Sequence, residues 1–121
     1  MDKNMREQVA MMHAQFCQAL AEPTRILILY ALNESPHSVN ELADVIGLTQ
    51  PSVSRHLKVL RERGLVCAQR NGQSVIYTLG DERIIQAMEI LRGILVEQIE
   101  NQVNLAPPEN QPLIVFDTTL S

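Results

Sequence analysis

Residues 49–61 bring together side chains that form paired hydrogen bonds or carry positive charge. In contacts with duplex DNA, glutamine pairs with adenine, arginine pairs with guanine, and serine bonds to several base edges. The residues that we predict to contact bases are Gln50, Ser52, Ser54 and Arg55. The residues that we predict to contact phosphates are Thr49, Lys58 and Arg61.

Charge is unevenly distributed along the chain. The net charge is −4 over 121 residues, but residues 49–73 hold five basic side chains and a single acid, Glu62. Because that segment carries +4, the rest of the chain carries −8. A basic stretch is often only a solvated helix face, yet a local basic surface attracts phosphate even on an acidic protein.

Two short helices joined by a tight turn are predicted over residues 38–64. Ser38 and Glu41 have the spacing of a capping box, which predicts the start of the first helix, and Gly47 is typical of its end. Thr49 is the predicted N-cap of the second helix. A turn of this length is typical of a helix-turn-helix, whose second helix enters the major groove with its N-terminal end first.

A β-hairpin with a basic tip is predicted directly after these helices. Residues 65–69 and 74–79 are rich in β-forming types, and the Asn71-Gly72 pair between them is a strong signal for a tight turn. Arg70, beside that turn, is predicted to reach the DNA backbone or a neighbouring groove. The predicted fold is mainly α with a small β-hairpin: a winged helix-turn-helix in the order α-α-α-α-β-β-α.

Three more helices complete the prediction: residues 5–20, an apolar helix from Pro23 that forms the buried centre, and a helix capped by Asp81 that runs to about Val103. The last helix has more apolar width than a single core needs. Its apolar residues are Ile84, Ile85, Met88, Ile90, Leu91, Ile94, Leu95 and Ile99. A second subunit would bury the surplus.

Residues 1–105 are predicted to form the DNA-binding and dimerisation domain, and residues 106–121 a proline-rich tail. The apolar residues 113–116 in that tail fit a frayed end, a strand lying on the body or a docking segment. No apolar run approaches the roughly 20 residues that span a bilayer, and the N-terminus lacks the apolar core of a signal peptide. We therefore expect a cytoplasmic protein without a membrane partner.

The chain resembles the ArsR/SmtB family of winged-helix repressors over about residues 9–103. Residues 20–29 read LAEPTRILIL, which is similar to the second helix of that family, and residues 48–60 read LTQPSVSRHLKVL, which is similar to its recognition helix. Residues 64–66 and 72–79 resemble its wing. The resemblance implies a homodimer joined by the first and last helices, and a repressor that an inducer releases from its operator. It places the family's DNA-contact positions on Gln50, Ser52, Ser54 and Arg55.

The metal sites that this family uses lack their ligands here. The thiol site needs a Cys-x-Cys, but residues 39–44 read VNELAD. The zinc site needs two histidines, and Arg83 and Ile94 stand at the matching positions. Asp81 and Glu97 are retained, but zinc prefers nitrogen and sulfur ligands to a pair of carboxylates. We predict no metal and no cofactor, with Asp81 as a helix cap and Glu97 as a surface charge.

Two cysteines, Cys17 and Cys67, are the candidate sensor residues. They form neither a disulfide scaffold nor a metal knuckle. The first interpretation is that each is a small buried apolar side chain. The alternative is sensing of oxidants or reactive sulfur, which requires an exposed thiolate. The expected inducer is a small molecule or an oxidant.

The three histidines have other predicted roles. His56, beside the inner stripe of the second helix of the pair, is predicted to be a hydrogen-bonded packing residue, and His37 to be solvated in a loop. His13 lies one helical turn from Cys17, and that pair would need further ligands from a second subunit to hold a metal.

Two other functions compete with DNA binding. A winged helix that only scaffolds other proteins would present an apolar face over residues 49–58, but that face is polar and basic. An enzyme would need a nucleophile with its base or a glycine-rich phosphate loop, and no such spacing is recognisable.

Overall fold

Helix caps and glycines set most of the element boundaries. The computed structural model describes residues 1–105. In chain order its elements are α1 (Lys3–Leu20), α2 (Pro23–Glu34), β1 (His37–Ser38), α3 (Val39–Ile46), α4 (Gln50–Glu62), β2 (Val66–Asn71), β3 (Ser74–Leu79) and α5 (Arg83–Leu105). Helix α1 begins two residues earlier than predicted, because the side chain of Asp2 accepts a hydrogen bond from the backbone N–H of Met5 at 2.7 Å.

The helix-turn-helix is formed by α3 and α4. Both hydrogen bonds of the predicted capping box are present: Ser38 Oγ accepts from the backbone N–H of Glu41 at 3.2 Å, and Glu41 Oε1 accepts from that of Ser38 at 2.8 Å. Gly47 ends α3 with φ at 82°, a left-handed conformation that favours glycine. The side chain of Thr49 then caps α4. The predicted boundaries of this motif are therefore confirmed.

A three-stranded antiparallel sheet lies beside the helices, in the order β1-β3-β2. The hairpin of β2 and β3 is confirmed, and Gly72, with φ at 68°, occupies its turn. The sequence did not predict β1, in which His37 pairs with Tyr77 and Ser38 with Ile76. His37 lies in β1 and not in the predicted loop, and it is half-buried there.

The core is aliphatic and centres on α2, as predicted. Its fully buried side chains are Ile28, Leu29, Leu42, Val53, Leu57, Leu60 and Val66. Because α2 packs against α3, α4 and β3, it is the helix on which the helix-turn-helix rests.

The chain divides into two units after Ile85. The first holds α1 to α4, the sheet and the start of α5, whose Ile84 and Ile85 are buried. The described part of the second is the rest of α5. The predicted tail, residues 106–121, lies outside the described residues. No helix within residues 1–105 is long and apolar enough to cross a membrane.

Candidate nucleic-acid interface

Helix α4 has one buried face and one open face. Val53, Leu57 and Leu60 are at most 1% exposed and fix the orientation of the helix on the core. The predicted contact residues on the open side are Thr49, Gln50, Ser54, Arg55, Lys58 and Arg61, all of them exposed. Ser52 is half-buried, and its backbone N–H donates to Thr49 Oγ1 at 3.3 Å.

A groove of about 350 Å³ runs between α4 and the wing strand β3. It is lined by Ser54, Leu57, Lys58, Arg61, Glu62 and Tyr77. Lys58 and Arg61 bring two positive charges to it, and Tyr77 adds a phenol that can donate a hydrogen bond. Glu62 adds one negative charge, so the lining carries a net charge of +1, and its donors can bond to the oxygens of a phosphate group.

Arg70 lies elsewhere, on the hairpin. It is exposed and pairs with Val75 in the β2–β3 ladder, close to the turn at Gly72. It is not among the residues that line the groove. The structure thus places seven of the predicted contact residues on or beside α4 and the eighth on the wing.

His56, also on α4, is half-buried and hydrogen-bonded, in agreement with the predicted packing role. Its Nδ1 lies 3.2 Å from Nη1 of Arg25 on α2. Burial, followed by the positive charge of Arg25, lowers the pKa of His56 below its ordinary value of 6.5. The sequence analysis missed Arg25. The stretch Glu22-Pro23-Thr24-Arg25 could have pointed to this residue, but it served only as evidence for the family resemblance.

Asp81 acts as the predicted cap of α5, because its Oδ1 accepts from the backbone N–H of Arg83 at 2.9 Å. The guanidinium of Arg83 bonds to the same carboxylate, with Nη2 2.7 Å from Oδ2. The side-chain hydrogen bond with Arg83 is the main reason that the pKa of Asp81 falls to about 2, and the backbone bond adds to it.

Among the described residues no group of three histidine, cysteine or acidic side chains is placed to hold a metal ion.

Both cysteines are free and exposed in the chain. The prediction that they are small buried apolar side chains is therefore wrong. Cys17 is on α1, where Ala19 is the buried residue, and Cys67 is on β2 between the buried Val66 and the half-buried Ala68.

A helix-turn-helix, a β-hairpin wing and a basic face on the second helix together define the winged helix-turn-helix class. The crystal structure of Rv0081 from Mycobacterium tuberculosis is similar to this chain, with a TM-score of 0.73 and 34% sequence identity. The similarity covers 78% of this chain and 96% of that one. A family model described as "Bacterial regulatory protein, arsR family" matches residues 22–67. The transcriptional regulator NmtR from M. tuberculosis is 43% identical over 82 residues, which is 68% of each chain. The chain belongs to the ArsR family of transcriptional regulators.

The fold is also similar to that of Mb0332 from Mycobacterium bovis, described as a homodimeric winged helix-turn-helix DNA-binding domain. The TM-score is 0.73 over 83% of this chain and 93% of that one, at 24% identity. This similarity is one of fold.

Proposed function

We propose that this ArsR-family regulator is a homodimeric repressor that binds a specific operator in duplex DNA. The observation that carries the proposal is the exposed face of α4, which is polar and basic, while the opposite face of the helix is buried in the core. A helix held in this way can present its N-terminal residues to base edges without a change in its packing.

Base and phosphate contacts are divided along α4. Gln50, Ser52, Ser54 and Arg55 lie in its first turns, the part that enters the major groove. Lys58 and Arg61 lie further along, where they line the groove beside β3. Arg70 extends the contact to the backbone or a neighbouring groove from the wing, and Thr49 contacts a phosphate at the start of the helix.

Dimerisation explains the apolar residues that the single chain leaves open. On α1, Met5 and Met12 are 54% and 66% exposed, and on α5, Ile90 and Leu91 are 68% and 55% exposed. Water contact of this extent is unfavourable for large apolar side chains, and a two-fold symmetric partner would remove it.

The test compares Arg55→Ala with Lys58→Ala on duplexes that contain or lack the operator. We expect Arg55→Ala to lose about 1–3 kcal/mol of discrimination between bases, whereas Lys58→Ala weakens binding to all sequences about equally. Lys58→Ala also lowers the slope of log K against log salt by about 1. Arg63→Ala is the control, because it removes one charge from the same segment outside the groove. Wild-type affinity in both variants would refute this docking.

Exposure of both cysteines favours thiol chemistry as the way the repressor is released. A thiol on the surface can meet an oxidant or a polysulfide, which a buried one cannot. The operator complex is titrated with peroxide or polysulfide. We expect the wild-type protein to dissociate from the DNA, and at least one of the variants Cys17→Ser and Cys67→Ser to stay bound. Release of both variants at wild-type oxidant concentrations would exclude the thiols as the sensor.

A further inference from the structure

The side chain of Arg25 touches three helices at once. It belongs to α2, and its Nε donates to the carbonyl oxygen of Ala19 at 2.6 Å. Its Nη2 donates to the carbonyl oxygen of Gln18 at 3.2 Å, and its Nη1 lies 3.2 Å from Nδ1 of His56 on α4. All five N–H groups of a guanidinium lie in one plane, so one half-buried side chain can hold these partners in a fixed arrangement.

The two carbonyl groups belong to the last turn of α1. Carbonyls in this position have no partner within their own helix, and they form the negative end of the helix dipole. The last turn of α1 contains no basic residue of its own. The carbonyl oxygen of Gln18 also accepts from the backbone N–H of the C-cap residue Ala21 at 3.2 Å. Arg25 adds a side-chain donor to each of the two carbonyls and brings a positive charge from the next helix.

The contact with His56 defines the state of the imidazole. A guanidinium has donors but no acceptor, so Nδ1 of His56 must accept and cannot carry a proton. His56 is therefore neutral, with its proton on Nε2. A second proton would remove the acceptor and place an imidazolium against the guanidinium.

The charged groups around His56 favour this neutral form. Burial has the largest effect on its pKa, and Arg25 from α2 and Arg55 from α4 lower it further. Glu22, the N-cap of α2, acts in the opposite direction and is outweighed.

We propose that Arg25 is a positioning residue for DNA recognition, clamping α4 through the neutral imidazole of His56 to the end of α1. This inference rests on the proposed function, since it takes α4 as the recognition helix. Helix α1 carries exposed apolar residues proposed for the dimer contact, so the clamp links that contact to the orientation of α4. Neither residue of the clamp is assigned a DNA contact.

The first test does not involve DNA. Nitrogen NMR of the full-length protein at neutral pH should show His56 with an unprotonated, hydrogen-bonded Nδ1 and a protonated Nε2. In Arg25→Gln we expect the pKa of His56 to rise, because the nearest cation is gone. A proton on Nδ1 in the wild type, or an imidazole whose titration is unaffected by Arg25→Gln, would overturn the inference.

The second test is a matched pair of variants at His56. The amide oxygen of asparagine takes the position of Nδ1, so His56→Asn keeps an acceptor for Arg25, whereas glutamine places its amide at the position of Nε2. We expect His56→Asn to bind the operator as the wild type does, and His56→Gln to bind about tenfold more weakly, the size of effect expected for a hydrogen bond to a charged group. Equal affinities for the two folded variants would overturn the inference.

The third test uses pH. Protonation of a histidine near DNA normally strengthens binding, because it adds positive charge. Opening of the clamp predicts the reverse: as the pH falls from neutral through the lowered pKa of His56, the wild type loses affinity several-fold relative to His56→Asn. His13 and His37 are present in both proteins, so any contribution from them cancels in this comparison. Parallel pH profiles would contradict the clamp, while a wild type that ignores operator DNA at every pH would instead refute the proposed function.

Discussion

Asp81 caps the start of α5 by accepting hydrogen bonds from two groups of Arg83, its backbone N–H and its guanidinium. Its pKa of about 2 is lower than the ordinary 3.8, so its contribution to stability is complete above 3.8 and disappears as the pH falls through about 2. We expect an NMR titration of the Asp81 carboxyl carbon to give a midpoint near that lower value.

In Arg83→Ala the side-chain bond is lost and the backbone bond remains, so the midpoint should move upwards toward 3.8 without reaching it. Glu82→Gln provides the comparison, since it changes a neighbouring charge without touching the bonded pair. An ordinary midpoint in the wild type would show that the pair does not form in solution.

Single residues were predicted well where the information is local. The capping box at Ser38 depends on residues three positions apart, and its two bonds are present. The contact of Arg25 with His56 joins residues 31 positions apart, so no local pattern contains it. The prediction that the cysteines are buried was wrong for a related reason. It was inferred from the average behaviour of the residue type, whereas the exposure of a side chain depends on which other parts of the chain cover it.

Close approach of two chain segments fixes the junction between the wing and α5. The backbone N–H of Gly80 donates to the carbonyl oxygen of Leu65 at 2.9 Å. A Cβ at Gly80 would overlap the carbonyl oxygen of Gly64. Because the obstacle is backbone, Gly80→Ala should lower the free energy of unfolding by about 1–3 kcal/mol, measured by chemical denaturation.

The same substitution at Gly93 is not expected to lower the free energy of unfolding. Gly93 is inside α5, and a Cβ there would have no neighbour within 4 Å. Alanine is the better helix former, so Gly93→Ala should leave stability unchanged or raise it by about 0.5–1 kcal/mol. A Gly80→Ala protein as stable as the wild type would mean that the two segments separate at little cost.

At the level of elements, the five helices and the hairpin were predicted because each has its own period, cap or turn. Strand β1 was not, since two residues between α2 and α3 contain no pattern. It exists because His37 and Ser38 meet Tyr77 and Ile76, which come from a strand far along the chain. A pairing of that kind is a property of the assembled fold.

For the whole molecule, the open apolar residues of α5 predict where the second subunit of the proposed dimer would bind. Leu91 and Ile94 are 55% and 48% exposed. A carboxylate in a packed subunit contact loses its hydration without gaining a partner, so Leu91→Glu or Ile94→Glu should convert the dimer to monomers. Sedimentation velocity measures this directly.

The control is Gln98→Glu, which adds the same charge at an exposed polar position of the same helix. We expect it to remain dimeric. The monomeric variants should also lose operator affinity, because two recognition helices one DNA turn apart, about 34–36 Å, bind together only when they are joined. If Leu91→Glu stays dimeric, this part of α5 is not the subunit contact.

The central place of β3 in the sheet has a consequence for how such regulators can diversify. Because β3 is hydrogen-bonded on both sides, to β1 and to β2, its position does not depend on the length of the hairpin tip. We therefore expect insertions at Gly72 to leave the ladder pairs nearer the core, such as Val66 with Leu79, in place. The tip is thus a site where new reach along a nucleic acid can evolve while the hydrophobic interior stays as it is.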